Sequence, residues 1–426
     1  MAARRSLLLS GLALTALLAG PACSDDGADK GEPASSAPVS LGYDGPEGLT
    51  IGVITSSTGT GASVRPLATG ARLAEYRLDG LDATSEAVDL VVADDRGDAD
   101  SAVSAVEEMV GSGVAGIVYA STGDHVGPAL AEAERAGVPV LLPYAEDATV
   151  VEGAGAAWVT GVTGQAAARA VMAHLEAADL DDVTILLTGD DERAGLDLLE
   201  GTVVRLRPGA DGTYDDAITE ADLDGSEAAV VWTSATPGAD VVAALQRADL
   251  GLPIITAPTA LEPAFADGLA ALQEESGLAA IDASVLSVGP AVTDFDPDSN
   301  VDAFIQALRV GLDDEALTGL DETAGTFAES ESVGSLDTGA HDAVLYLAAA
   351  ATAAGSTDPA EVASALAELD AGAVAGRVGP EIDPDRPEGL PDEAVTMLRS
   401  DAYTGGPRAD LSDRPTISWF RVETTG

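Results

Sequence analysis

Two short loops carry the residue types best suited to gripping a small polar molecule. Ser56-Ser57-Thr58-Gly59 follows the apolar run Leu49–Ile54, and Ala120-Ser121-Thr122-Gly123 follows Gly116–Tyr119; each leads into a segment of helical spacing. A small-residue loop between a strand and a helix lets an acceptor reach the N–H groups at the helix start, and the hydroxyls add donors of their own. The same residue types also serve as plain helix caps. Covalent chemistry has no such support. His125, His174 and His341 are scattered and in no metal-ligand spacing, no G-x-S-x-G occurs, and Gly59-Thr60-Gly61 lacks the lysine of a phosphate loop. Lys30 is the single lysine and Cys23 the single cysteine, so a Schiff base in the folded part, an intrachain disulfide and a cysteine zinc site are all excluded. Acid pairs such as Asp94-Asp95 follow from composition alone. The expectation is a binding protein with no cofactor and no metal, not an enzyme.

The 426 residues include 20 Lys and Arg against 73 Asp and Glu, a net charge of −53. Phosphate recognition needs clustered cations, so nucleic acid is excluded as a partner. Hydrophobic residues make up 46%, enough for a packed core and unlike a disordered acidic tail. The charge reads as a strongly hydrated, salt-adapted surface.

The chain opens with a targeting segment. Arg4 and Arg5 precede the apolar run Leu7–Leu18 and the small residues Ala19-Gly20-Pro21-Ala22, a secretory signal too short to span a membrane. Cys23 follows directly and resembles the lipid-attachment cysteine of bacterial lipoproteins, where the sulfur carries a diacylglyceryl group. Gly20 stands where leucine is usual, and the same small residues suit ordinary signal peptidase. Residues 23–48 are rich in Ser, Asp, Gly, Ala and Pro and read as a tether.

From Leu49 short apolar runs alternate with helical spacing. Strands are expected at Leu49–Ile54, Val88–Ala93, Gly116–Tyr119, Val138–Leu142, Val183–Leu187, Ala228–Thr233, Pro253–Thr256 and Ala283–Ser287. Helices are expected at Pro66–Leu78, Ala99–Val110, Val126–Ala136, Gln165–Ala177, Ala194–Val203, Gly238–Ala248, Ala264–Gln273, Asn300–Gly311 and Gly339–Ala354, with Asp313–Leu336 as loop. Continuous apolar strands alternating with helices predict parallel sheets covered on both faces.

Five blocks in order resemble the type I solute-binding proteins, the receptors of branched-chain amino-acid uptake systems. They are Ile51–Gly59, Leu90–Asp98, Glu107–Thr122, Ala133–Pro143 and His341–Tyr346. The resemblance implies an α/β fold of two Rossmann-like doubly wound lobes with three hinge crossings, near Trp158–Gly161, Val288–Thr293 and Gly372–Gly379. Lobe one would be residues 49–157 plus 294–371, and lobe two 158–293 plus 372–426. It places Ser121 and Thr122 at a ligand carboxylate and Tyr144 at the cleft. In lobe two it points to Arg193, beside an absent family aromatic, and to Ser234, whose loop carries no acid for a ligand ammonium. The implied function is an exported lipoprotein on the outer face of the cytoplasmic membrane. As a monomer it would capture an amino acid or related molecule and deliver it to an ABC-type permease. The alternative is a non-transporting sensory or scaffold lipoprotein of the same fold.

Overall fold

Leu49–Thr55 forms β1 because its apolar residues are buried on both faces, with Leu49, Ile51, Val53 and Ile54 fully enclosed. The computed structural model describes residues 37–58, 68–189, 193–221, 223–276, 285–290, 299–320, 325–330, 337–387, 390–401 and 417–422. The signal segment, Cys23 and Gly59 lie outside them.

After β1 come α1 (Thr69–Leu78), β2 (Val88–Asp94), α2 (Ala99–Ser112), β3 (Gly116–Tyr119), α3 (Val126–Ala136), β4 (Val140–Leu142) and β5 (Ala157–Val159). These strands make one all-parallel sheet in the order β2-β1-β3-β4-β5. The chain then builds a second sheet with α4 (Gly164–Ala177), β6 (Val183–Thr188), β7 (Thr202–Leu206), α5 (Asp215–Glu220), β8 (Ala228–Val231), α6 (Ala235–Ala248), β9 (Ile254–Thr256), α7 (Pro263–Ser276) and β10 (Val285–Pro290). It returns to the first half through α8 (Ser299–Asp313), α9 (Phe327–Ser330), α10 (Thr338–Ala354) and α11 (Pro359–Ala367); α8 and α10 both pack on α1. Last come β11 (Val395–Asp401) and β12 (Ser418–Arg421), which complete the second sheet in the order β12-β11-β10-β9-β8-β6-β7. Only the pairings of β11 are antiparallel there. The chain therefore passes between the halves three times, after β5, after β10 and between α11 and β11.

The first and third passages lie side by side. The Val159 N–H donates to the Pro387 carbonyl at 2.8 Å, and the Trp158 indole N–H donates to the Pro384 carbonyl at 3.0 Å. Gly161 is needed here, since a Cβ would stand 1.9 Å from the Pro143 carbonyl oxygen.

Three local outcomes depart from the sequence reading. The helix expected at Ala194–Val203 is instead a short 3-10 turn, Leu196–Leu198, followed by the edge strand β7. Gly201 has φ +156°, and the β-branched Thr202-Val203-Val204 favours extended backbone. Within 313–336, read as loop, Phe327–Ser330 is a helical turn and Thr318 bridges Thr326; residues 321–324 and 331–336 lie outside the described residues. Residues 38–42, read as tether, lie against α1: Leu41 and Gly42 donate to the Arg77 carbonyl, and the Arg77 guanidinium donates to the Pro38 and Val39 carbonyls.

Candidate functional site

A cavity of about 420 Å³ opens where the halves meet. The first half supplies Thr122, Tyr144, Glu146, Asp337, Asp342 and Tyr346 to its wall; the second supplies Arg193, Trp232, Ser234, Thr259 and Glu262. Thr160–Val162, Pro290, Gly379 and Leu390 come from the three passages. Thr122, Tyr144, Trp232 and Thr259 of the lining follow the carboxyl ends of β3, β4, β8 and β9, where ligands of open parallel sheets bind.

Asp337 caps α10. Its carboxylate accepts the Ala340 N–H at 3.3 Å, the Gly70 N–H of α1 at 2.8 Å and the Tyr144 hydroxyl. One carboxylate thus serves the positive N-terminal ends of two helices. Burial nevertheless pushes its pKa up to about 6, against the opposing pull of those three bonds. The close approach of α1 requires Gly70, whose Cβ would stand 1.9 Å from the Asp337 carbonyl oxygen.

Five residues further on, Asp342 ends a buried relay. An Arg77 N–H donates to His341 Nε2 at 2.9 Å, so the ring proton sits on Nδ1 and points to Asp342 Oδ1 at 2.7 Å. His341 is fully buried, and desolvation lowers its pKa, which keeps the ring neutral. Burial likewise lowers Arg77 to about 10. The Asp342 carboxylate also accepts the Val378 N–H at 3.0 Å and the Gly379 N–H at 2.5 Å, fastening the third passage to α10.

The two hydroxyl loops divide in their roles. Ser56 and Ser121 are buried: Ser56 Oγ donates to Asp95 Oδ1 at 2.5 Å and lies 2.6 Å from Ser121 Oγ. His125 Nε2 is 2.9 Å from Ser121 Oγ and 3.0 Å from Asp95 Oδ2, which also accepts the Tyr119 hydroxyl. This cluster is not a nucleophile relay, because serine and aspartate meet the same ring nitrogen, whereas a triad's acid must orient the opposite one. It stitches β1, β2 and β3 together beneath the loops. Ser57 and Thr58 are exposed and bind Asp94 through their N–H groups at 2.9 and 3.3 Å, away from the cavity lining. Of these five residues only Thr122 faces the cavity.

Tyr144, Arg193 and Ser234 all line it. Arg193 forms an ion pair with Glu146. Ser234 precedes α6, and the Trp232 indole N–H donates to the Ala194 carbonyl at 3.3 Å. Glu262, at the entry to α7, is raised to about 7, chiefly by burial and then by the charge of Glu146, with Arg193 pulling the other way. The Thr160 hydroxyl is buried without a hydrogen-bond partner among the described residues.

The acids of the wall, Glu146, Glu262, Asp337 and Asp342, are not among the site residues expected from the sequence, nor is Thr160, which falls only in the expected crossing Trp158–Gly161. Two signals pointed to them. Glu262 follows the carboxyl end of a recognisable strand, and Asp337 directly precedes a helical run, the usual place of an N-cap.

The sequence matches no protein-family profile and no curated protein. Its fold matches solved structures throughout. The branched-chain amino acid transporter substrate-binding protein LivJ from Streptococcus pneumoniae, in complex with isoleucine, aligns with TM-score 0.62 and 18% identity over 88% of this chain and 99% of that one. A periplasmic binding protein type 1 from Bordetella pertussis gives 0.61 and 16% over 88% and 100%. An ABC transporter substrate-binding protein from Desulfitobacterium hafniense, in complex with leucine, gives 0.58 and 16% over 87% and 99%. With two parallel-dominated sheets, three passages between them and a cavity at their junction, the chain has the fold of the type I periplasmic binding proteins.

Proposed function

We propose that this protein is an extracytoplasmic solute-binding receptor that captures a small polar molecule between its halves and hands it to an ABC-type permease. One observation carries the reading: both halves and all three passages contribute to one cavity. A solute held there touches both halves at once, so it stabilises a closed arrangement by contacts that an open one lacks. The cavity volume falls within the range of small-molecule sites, and its walls combine apolar area with a few directed polar groups. The isoleucine and leucine held by two structural neighbours support the same reading.

Cys23 would carry the lipid that keeps the monomeric receptor on the outer face of the cytoplasmic membrane, with the segment after it as a spacer. Mass spectrometry of the mature N-terminus checks this: a diacylglyceryl mass on Cys23 is expected, and an unmodified thiol contradicts it.

The function is tested by thermal unfolding against a panel of amino acids, amides, amines and other small metabolites. A true solute at 100 times its Kd adds roughly 2.7 kcal/mol of stability. A panel without a single stabilising member would favour the sensory or scaffold role instead.

A further inference from the structure

Among the described residues the cavity wall holds four carboxylates and one guanidinium. Three of the carboxylates have partners within the protein. Asp337 accepts from Gly70, Ala340 and Tyr144; Asp342 accepts from His341, Val378 and Gly379; Glu146 is paired with Arg193. Glu262 differs. The cation that acts on it, Arg193, is paired with Glu146, and among the described residues nothing donates a hydrogen bond to its carboxylate. Of the groups suited to a ligand's own carboxylate, several are engaged within the protein, while Thr122 and Ser234 remain on the cavity wall. The hydroxyls of Ser56 and Ser121 are engaged with Asp95 and His125, and Asp337 sits on the N-terminal ends of α1 and α10. On the first passage Thr160 also lines the cavity, its hydroxyl buried and without a partner among the described residues. Apolar surface from Trp232, Leu261 and Leu390 fills in between.

Resting on the reading of this cavity as a solute site, we propose that its ligand is a small organic cation, an amine or amidinium on a short apolar body, and not a zwitterionic amino acid. Glu262 meets the positive head group, and the Thr160 hydroxyl accepts one of its N–H bonds. An added ligand carboxylate would enter a wall where, among the described residues, four carboxylates face one guanidinium, which costs affinity; a cation restores the balance.

The test uses three molecules with one carbon skeleton: isoamylamine, leucine and 4-methylpentanoate, with agmatine and putrescine as further cations. Binding is read by calorimetry on the full chain. Isoamylamine or another of the cations is expected to bind, leucine more weakly, and the acid not at all. Glu262→Gln is expected to weaken cation binding about thirtyfold or more. It should not lower the melting temperature of the free protein, since it removes a buried charge without its own partner, so loss of fold is not confused with loss of site. Thr160→Val should cost a smaller factor. Leucine binding more tightly than isoamylamine would overturn the cation proposal while leaving a solute receptor standing. Unchanged affinity in Glu262→Gln would overturn it too. If none of the cations binds the proposal fails, and if the wider metabolite panel is silent as well the receptor reading fails with it.

Discussion

The Asp342 carboxylate on α10 accepts the Gly379 N–H at 2.5 Å, a bond between a helix of the first half and the strand of chain that leaves it for the second. Asp342 also lines the cavity, so the group that anchors a passage stands within reach of whatever the cavity holds. Behind it the neutral His341 and the buried Arg77 fix its orientation. Asp342→Ala would leave His341 Nδ1–H and the Val378 and Gly379 N–H groups unsatisfied in a buried site. A loss of about 3 kcal/mol is expected in chemical denaturation. An unchanged midpoint would show that the anchor contributes nothing.

Glycine substitutions separate close approach from open space. Gly70→Ala would drive a methyl group into the Asp337 carbonyl and should cost about 2 kcal/mol or more. Gly111→Ala, within α2 and facing open space, should instead add about 0.5–1 kcal/mol by lowering unfolded-chain entropy. Equal effects from the two would contradict the packing of α1 against the start of α10.

Stability should fall as pH rises from about 4 to about 7. Burial raises Glu75 and Glu262 from 4.5 to about 7 and Asp337 from 3.8 to about 6. Between the unfolded and folded values the native state binds more protons than the unfolded chain. The contribution of these groups is therefore complete below about pH 4 and is lost as pH climbs through 6 to 7. His341 acts in the opposite sense, its contribution being lost as pH falls below 6.5 through its lowered value. With three carboxylates raised by burial against two lowered rings, His341 and His174, melting temperatures at pH 5 should exceed those at pH 8, and Glu262→Gln should narrow the difference. A flat profile would contradict the burial of these carboxylates.

The two neighbouring residues of the second hydroxyl loop should behave differently. Ser121→Ala removes one hydrogen-bond partner from each of Ser56 and His125, which keep Asp95, and should lower stability by about 1 kcal/mol. Thr122→Ala, at the cavity wall, should leave stability nearly unchanged and alter solute affinity. Calorimetry and unfolding on both variants check this, and an exchange of the two effects would contradict the placement of the loop.

What the sequence reveals here follows from how local its signals are. The helix at Val126–Ala136 is readable to the residue because Val126, Ala129, Leu130 and Ala133 share one buried face and Gly137 ends it in the left-handed conformation. The strand Thr202–Leu206 is not, since an edge strand exposed on one side lacks the apolar run that marks its neighbours. The cavity shows the same division. Thr122 and Tyr144 stand directly after apolar strands and are legible there. Whether a serine in such a loop faces a ligand or a buried Asp95 depends on a neighbouring strand, which spacing along one loop does not encode. Glu262 reaches the wall from the chain after β9, the strand beside β8, whose own loop at Ser234 carries no acid, and the order β9-β8-β6 brings it there.

Small-angle X-ray scattering, with and without the solute or cation that most stabilises the protein, tests the central claim most directly. The radius of gyration should shrink on saturation as the halves close over the cavity. Superimposable curves at a concentration where calorimetry shows the site to be filled would contradict closure and, with it, the receptor role.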